Sequence, residues 1–415
     1  MKLKMKKVIL ILILIIMTLI PSFVFANTED LNLNSKAVFL MDNESGKILY
    51  SENADKQMYP ASTTKILTAI LALENCKLDD VITINYDAVM SIPEGYSSAN
   101  LQVGEKFTVE QLLQLLLVHS ANDAANTLAF HVGGSLDSFV AMMNTKLSEL
   151  QLSNSHFTNT YGLHEDDHYT TAHDLAVLMQ YCIKNEDFRR IAGSASCAIP
   201  ATNQYGPRKY TSTNELLIPN NRYYYPNIIA GKTGFTTPAG ECLVSLAYKD
   251  GVELIAVVLG GKTVNGVSAR FKDTKTLYEY GFSHFSKKML LKSGEVATQI
   301  EVSNATKDTK NLDLLISDNV STLLSNDFSL DSLSPEITLN EEISAPIMEG
   351  DVLGKIKYSI DGVSYSSDLV ASHLVEESHL LTYVICIVFA SIVVFVFCSV
   401  ISKKKKSRSS RKRWK

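Results

Sequence analysis

Tyr59-Pro60-Ala61-Ser62-Thr63-Thr64-Lys65-Ile66-Leu67-Thr68-Ala69-Ile70-Leu71-Ala72-Leu73 is where the chain changes character. Before it, 36–41 and 47–51 alternate around Asp42-Asn43-Glu44-Ser45-Gly46, a β-hairpin pattern. After Ala61 the period becomes helical, with Ile66, Ala69, Ile70 and Leu73 on one face, and the spacing predicts a helix over 62–74. Thr108-Val109-Glu110-Gln111 has the form of a capping box ahead of the apolar run 112–118. Further helices are expected over 123–132, 135–150, 171–183 and 270–280, the third of these capped by Thr171. The strand pattern returns beyond Lys232, where 242–248 and 252–259 flank Lys249-Asp250-Gly251, a tight hairpin signal. Strands at both sequence ends around a block of helices predict an α/β (α+β) domain with helices packed on an antiparallel sheet.

The ends of the 415-residue chain read differently. Residues 1–26 begin with Lys2, Lys4, Lys6 and Lys7, continue apolar, and close on Val24-Phe25-Ala26, the form of a signal peptide. Residues 380–401 carry no charge and are long enough as a helix to span a bilayer. The nine Lys or Arg residues in 402–415 then predict a cytoplasmic tail. Between these ends lie all 44 acids and 26 of the 39 bases, a net charge of −18 that the whole-chain value of −5 conceals. An acidic exported body with a basic anchor excludes a cytoplasmic enzyme and argues against a nucleic-acid partner.

Residues 27–290 are expected to form the large domain. Over 291–372 the helical period is lost, and short alternating stretches (297–302, 313–316, 336–339, 355–360) separated by Asn, Asp, Gly and Pro predict a small β-rich domain. It serves either as a spacer above the membrane or as a binding module. Cys76, Cys182, Cys197 and Cys242 are far apart without a Cys-x-x-Cys, so they are small core residues or disulfide partners. No metal-ligand cluster stands out; His164-x-x-x-His168 is the nearest pattern and lies in a polar loop.

Three short motifs carry chemistry only through their context. Ser62-Thr63-Thr64-Lys65 places an amine one helical turn from a hydroxyl, at a helix start whose free N–H groups favour an oxyanion. A plain N-cap with a solvated lysine explains the same four residues. Burial of Lys65 beside another cation such as Lys232 would make it a base. Ser120-Ala121-Asn122 interrupts two apolar helices, as a cleft wall or as a helix junction. Lys232-Thr233-Gly234 precedes Phe235-Thr236-Thr237, where a strand edge could receive an extended peptide and Gly234 would permit close approach. The same patterns at Ser98-Ala99-Asn100, at 317–319, at 292–294 and at 402–405 lack such surroundings.

In this order the three motifs resemble those of penicillin-binding proteins and serine β-lactamases. The stretches 37–42, 59–62, Phe157-Thr158-Asn159-Thr160-Tyr161-Gly162-Leu163, 168–172 and 213–217 are similar to the low-molecular-mass D-alanyl-D-alanine carboxypeptidases, and 345–347 with 350–354 to that family's C-terminal β domain. The resemblance implies a penicillin-binding/serine β-lactamase-like fold and hydrolysis of peptidoglycan stem peptides ending in D-Ala-D-Ala, without a cofactor or metal, and with β-lactam antibiotics as inhibitors. It also implies catalytic Ser62, Lys65 and Ser120, with Asn122, Lys232, Thr233, Gly234, Phe235, Thr236 and Arg270 binding the substrate. Within this family Thr160 stands where Pro is common, and Gly231 abuts Lys232 where an apolar residue often intervenes. A β-lactamase and a non-catalytic wall-binding protein share the fold. The β domain and the anchor argue against the former, for which no Glu-x-x-Leu-Asn after Ser120 offers a class A deacylating glutamate, and the intact motif set argues against the latter.

Overall fold

The computed structural model describes residues 30–411, and the leader expected over 1–26 lies outside them. The chain divides into two units between Phe285 and Ser286.

In the first unit five antiparallel strands lie in the order Ile48–Glu52, Ala37–Asp42, Val252–Gly261, Gly240–Lys249 and Ile228–Thr236. Chain-distant strands therefore meet at the centre, with Phe39 opposite Val257, and the strand bearing Lys232 forms an edge. All six residues of Ala37–Asp42 are buried, not alternately as expected. Phe39, Met41 and Val257 belong to the core shared with the helical block. Residues of the opposite face meet helix Ala269–His284, where Ser245 Oγ and Tyr278 Oη are 2.9 Å apart. Helices on both faces leave this strand no solvent side, so its apolar run is continuous.

The helical block comprises Lys65–Asn75, Val109–Leu117, Asn122–Gly133, Leu136–Glu149 and Ala172–Cys182. Both bonds of the Thr108 capping box form, and the Thr171 hydroxyl accepts the Asp174 N–H. Every residue from Lys65 to Ala72 is buried. Each large apolar side chain there contributes about 1.5–3 kcal/mol by leaving water. Thr68, buried among them, satisfies its hydroxyl by donating to the Thr160 carbonyl at 2.5 Å.

The expected helix start at Ser62 is corrected: Ala61–Thr64 is a 3₁₀ turn and the α-helix begins at Lys65. The physical reason lies in the residues before it. Ala61 has a left-handed φ of +48°, and the hydroxyls of Thr63 and Thr64 donate back to the carbonyls of Pro60 and Ala61 at 2.7 and 2.9 Å. These local bonds tighten the first turn.

The second unit holds a five-stranded antiparallel sheet in the order Val296–Glu301, Asn311–Ile316, Val363–Ala371, Val352–Ile360 and Glu336–Leu339. Leu312, Leu314, Ile356 and Leu369 fill its core. Helix Leu380–Arg411 follows, and its stretch Tyr383–Lys403 is long and apolar enough to cross a membrane. Cys76, Cys182, Cys197 and Cys242 are all free thiols, the last three buried, as small core residues would be.

Candidate active site

The 3₁₀ turn Ala61–Thr64 and the helix that continues it bring Ser62 and Lys65 together: Lys65 Nζ is 2.8 Å from Ser62 Oγ and donates to the Tyr161 carbonyl at 3.0 Å. Lys65 is 0 % exposed and forms no salt bridge among the described residues. Burial first, then the charge of Lys232, drives its pKa well below the ordinary value, against a smaller opposing pull from Asp123. An amine in that state has a lone pair free to take the Ser62 proton.

Ser120 sits between helices Val109–Leu117 and Asn122–Gly133 in the left-handed region, φ +66°, which turns its side chain out of the helical run. Lys232 Nζ reaches it across the cleft, donating to Ser120 Oγ and to the Thr233 carbonyl, both at 2.9 Å. Burial, reinforced by Arg270, lowers the Lys232 pKa to about 7. Asn122, 3 % exposed, leaves its Oδ1 without a hydrogen-bond partner among the described residues. A buried acceptor left open in this way is a place for a ligand N–H.

Lys232-Thr233-Gly234 lies inside the edge strand Ile228–Thr236 rather than ahead of it. A Cβ at Gly234 would stand 2.9 Å from the Pro60 carbonyl oxygen and 3.1 Å from the Ser62 nitrogen, so only glycine lets this strand close on the Ser62 backbone. Thr233 Oγ1 is 2.6 Å from Thr213 Oγ1. Phe235 is 60 % exposed at the cleft rim, while Thr236 Oγ1 accepts the Ala239 N–H in the following turn. Arg270 is no helix-surface charge. Its Nη1 donates to the Gly234 carbonyl at 3.0 Å, Glu241 lies 3.8 Å away, and its Nε is buried without a partner among the described residues.

Hydrogen bonds and close approaches thus link Ser62 to Lys65 and to Gly234, Ser120 to Lys232, and Gly234 to Arg270. Several other residues were not assigned a role from the sequence. Asp123 gathers N–H groups of Ala99, Leu101 and Ala124 and the Ser98 hydroxyl, so the apparently spare Ser98-Ala99-Asn100 motif is bolted to the cleft wall. His168 is buried and stacked on Phe157; burial, with smaller effects of His156 and His164, lowers its pKa to about 3. It accepts the Thr158 N–H at Nδ1, which leaves Nε2–H to donate to Thr64 Oγ1 at 2.8 Å. His164 instead packs edge-on against Tyr59, so the two histidines of the loop do not converge. Thr160, the departure from Pro, uses its hydroxyl to bond Asn126 Oδ1.

The family profile described as D-alanyl-D-alanine carboxypeptidase matches residues 24–263, and that described as the penicillin-binding protein 5 C-terminal domain matches residues 285–377. The D-alanyl-D-alanine carboxypeptidase DacF of Bacillus subtilis is 30% identical over 364 residues, 86% of this chain and 90% of the relative. DacC of Escherichia coli is 31% identical over 83% of this chain and 85% of its own. Among solved structures, penicillin-binding protein 5 of Haemophilus influenzae aligns with a TM-score of 0.62 at 27% identity, covering 83% of this chain and 98% of that one. A peptidoglycan synthesis regulatory factor (PBP3) of Streptococcus pneumoniae aligns at 0.68 and 25% identity, covering 83% and 100%. With a family profile spanning more than half its length and a relative 30% identical over most of both chains, the chain belongs to the D-alanyl-D-alanine carboxypeptidase family of serine peptidases.

Proposed function

We propose that this serine-type D-alanyl-D-alanine carboxypeptidase acts through an acyl-enzyme on Ser62. Neutral Lys65 takes the Ser62 proton as the hydroxyl oxygen attacks the carbonyl of the penultimate D-Ala, and the backbone N–H groups of Ser62 and Phe235 receive the oxyanion. The C–N bond breaks as Ser120 passes its proton to the departing D-Ala nitrogen, with charged Lys232 beside it. Asn122 holds the acyl-side amide, and Thr233, Thr236 and Arg270 receive the terminal carboxylate. Water then hydrolyses the ester. A β-lactam mimics the dipeptide and leaves a slowly hydrolysed ester on the same oxygen.

The substrate in this reading is a peptidoglycan stem pentapeptide during wall maturation. Tyr383–Lys403 anchors the protein by a single pass, with the catalytic domain outside and the basic end within the cytoplasm, where it also meets anionic lipid.

The observation that carries the reading is the buried 2.8 Å approach of Lys65 Nζ to Ser62 Oγ. Intact-mass analysis after penicillin treatment tests it, alongside D-Ala release from a muropeptide. Wild type should gain one penicillin mass and release D-Ala, and Ser62→Ala should do neither. An adduct that survives in Ser62→Ala would move the nucleophile elsewhere.

A further inference from the structure

We propose that Asn159 is a positioning residue for this reaction: its side-chain amide folds the 159–163 turn so that one turn holds both Lys65 and the backbone of Ser62. The proposal rests on the roles given above to those two residues. Asn159 Oδ1 accepts the N–H groups of Gly162 and Leu163 at 2.8 and 2.9 Å and, at a longer 3.4 Å, that of Tyr161. Its Nδ2 donates to the Leu163 carbonyl at 2.9 Å. A single amide therefore closes the whole turn.

That turn delivers two contacts to the reacting groups. The Tyr161 carbonyl accepts a Lys65 N–H at 3.0 Å, and the same amine is 2.8 Å from Ser62 Oγ. Gly162, at φ +88°, lies so close to the nucleophile's turn that a Cβ on it would stand 1.8 Å from the Ala61 carbonyl oxygen and 3.0 Å from the Ser62 nitrogen. Ala61 has a left-handed backbone, a conformation an alanine keeps only where its surroundings hold it. The Gly162 backbone is part of that surrounding.

The ends of the turn are tied down as well. Thr160 bonds both Thr68 and Asn126, and Thr158 reaches Thr64 through neutral His168. Asn159 thus completes a brace whose other members already grip the helix of Lys65. Without its fork, the groups that bind substrate along the edge strand stay in place, but the amine and hydroxyl lose their shared support. The expected signature is a fall in turnover rather than in binding.

The test uses the full chain in detergent with a diacylated tripeptide ending in D-Ala-D-Ala, measuring kcat and KM separately and thermal melting in parallel. Asn159→Leu, of similar size but without hydrogen bonds, should lower kcat roughly 10–100-fold with KM within about threefold. Asn159→Asp, which keeps the oxygen fork but loses the Nδ2 donation to the Leu163 carbonyl and faces Glu165, should fall less than Asn159→Leu. If Asn159→Leu does not fold, Asn159→Ser is read by the same split, since its short hydroxyl cannot span three N–H groups. A folded Asn159→Leu or Asn159→Ser with wild-type kcat overturns the proposal, as does Asn159→Asp falling as far as Asn159→Leu. Ser62→Ala run in parallel separates the two levels. Activity persisting there sinks the nucleophile reading, whereas an inactive Ser62→Ala beside a fully active Asn159→Leu removes the brace alone.

Discussion

The amines of Lys65 and Lys232 are both buried, each within 2.9 Å of a serine hydroxyl, and the charge of Lys232 adds to burial in lowering the proton affinity of Lys65. In the proposed mechanism the two lysines divide the work. The one more strongly discharged is fitted to accept a proton, and the other, at about 7, to offer charge near neutral pH.

This division predicts a pH profile. Lys232 is charged below about 7 and loses its proton as pH rises through that value. If its charge serves the leaving group and the carboxylate, kcat/KM should decline above about pH 7, while the acid limb belongs to Lys65. Lys232→Arg keeps the charge at all working pH values and should displace the falling limb upward by about two units or more. A limb that stays put would belong to another group.

Burying an uncompensated cation also costs stability, with a defined sign. The folded pKa of Lys232 is below its unfolded value of 10.5, so between about 7 and 10.5 the unfolded chain binds the extra proton. The penalty is therefore full below about 7 and fades as pH rises through that window. Lys232→Met should raise stability by about 1–4 kcal/mol at pH 6, with the advantage shrinking toward pH 10, while carboxypeptidase activity is lost. Melting curves at the two pH values check this, and an advantage that grows with pH contradicts it.

Gly234 leaves no room for a side chain against Pro60 and Ser62. Gly234→Ala is expected to push the edge strand from the nucleophile's turn, cutting the rate of penicillin acylation about 10²-fold. The cost in stability should be only about 1–3 kcal/mol, visible by denaturant titration. Acylation at the wild-type rate would mean that the strand yields without moving the oxyanion donors.

Arg270 holds the Gly234 carbonyl and keeps one buried N–H unpaired among the described residues. Removing a charged hydrogen-bond donor from a bound carboxylate costs about 1.5–3 kcal/mol. Arg270→Ala should therefore raise KM for a D-Ala-D-Ala peptide about 10–100-fold and change kcat less. A loss confined to kcat would make Arg270 a support of the strand alone.

A chain ending at His379 lacks the apolar stretch Tyr383–Lys403. It should partition to the soluble fraction and still be acylated by penicillin. Retention in the membrane fraction would place the attachment elsewhere.

Much of this was legible in the linear order of residues. The Thr108 and Thr171 caps, the Asp250-Gly251 turn and the helical face of Ile66, Ala69 and Ile70 depend on neighbours within a few positions, so short-range rules suffice. The burial of Ala37–Asp42 on both faces was not legible, because the helix Ala269–His284 that covers its second face lies more than two hundred residues away.

The same distinction governs the site. The chain order alone determined the reactive residue types, since Ser62 and Lys65 are one turn apart and each motif is contiguous. Only the folded molecule decided their chemistry. The lowered pKa of Lys65 needs Lys232 brought from 167 positions away and a helix whose residues Lys65 to Ala72 are all buried. The brace at Asn159 needs a loop from another part of the chain pressed onto Ala61. Proton affinity and backbone support depend on distance and on the exclusion of water, and neither is a property of residues along a line.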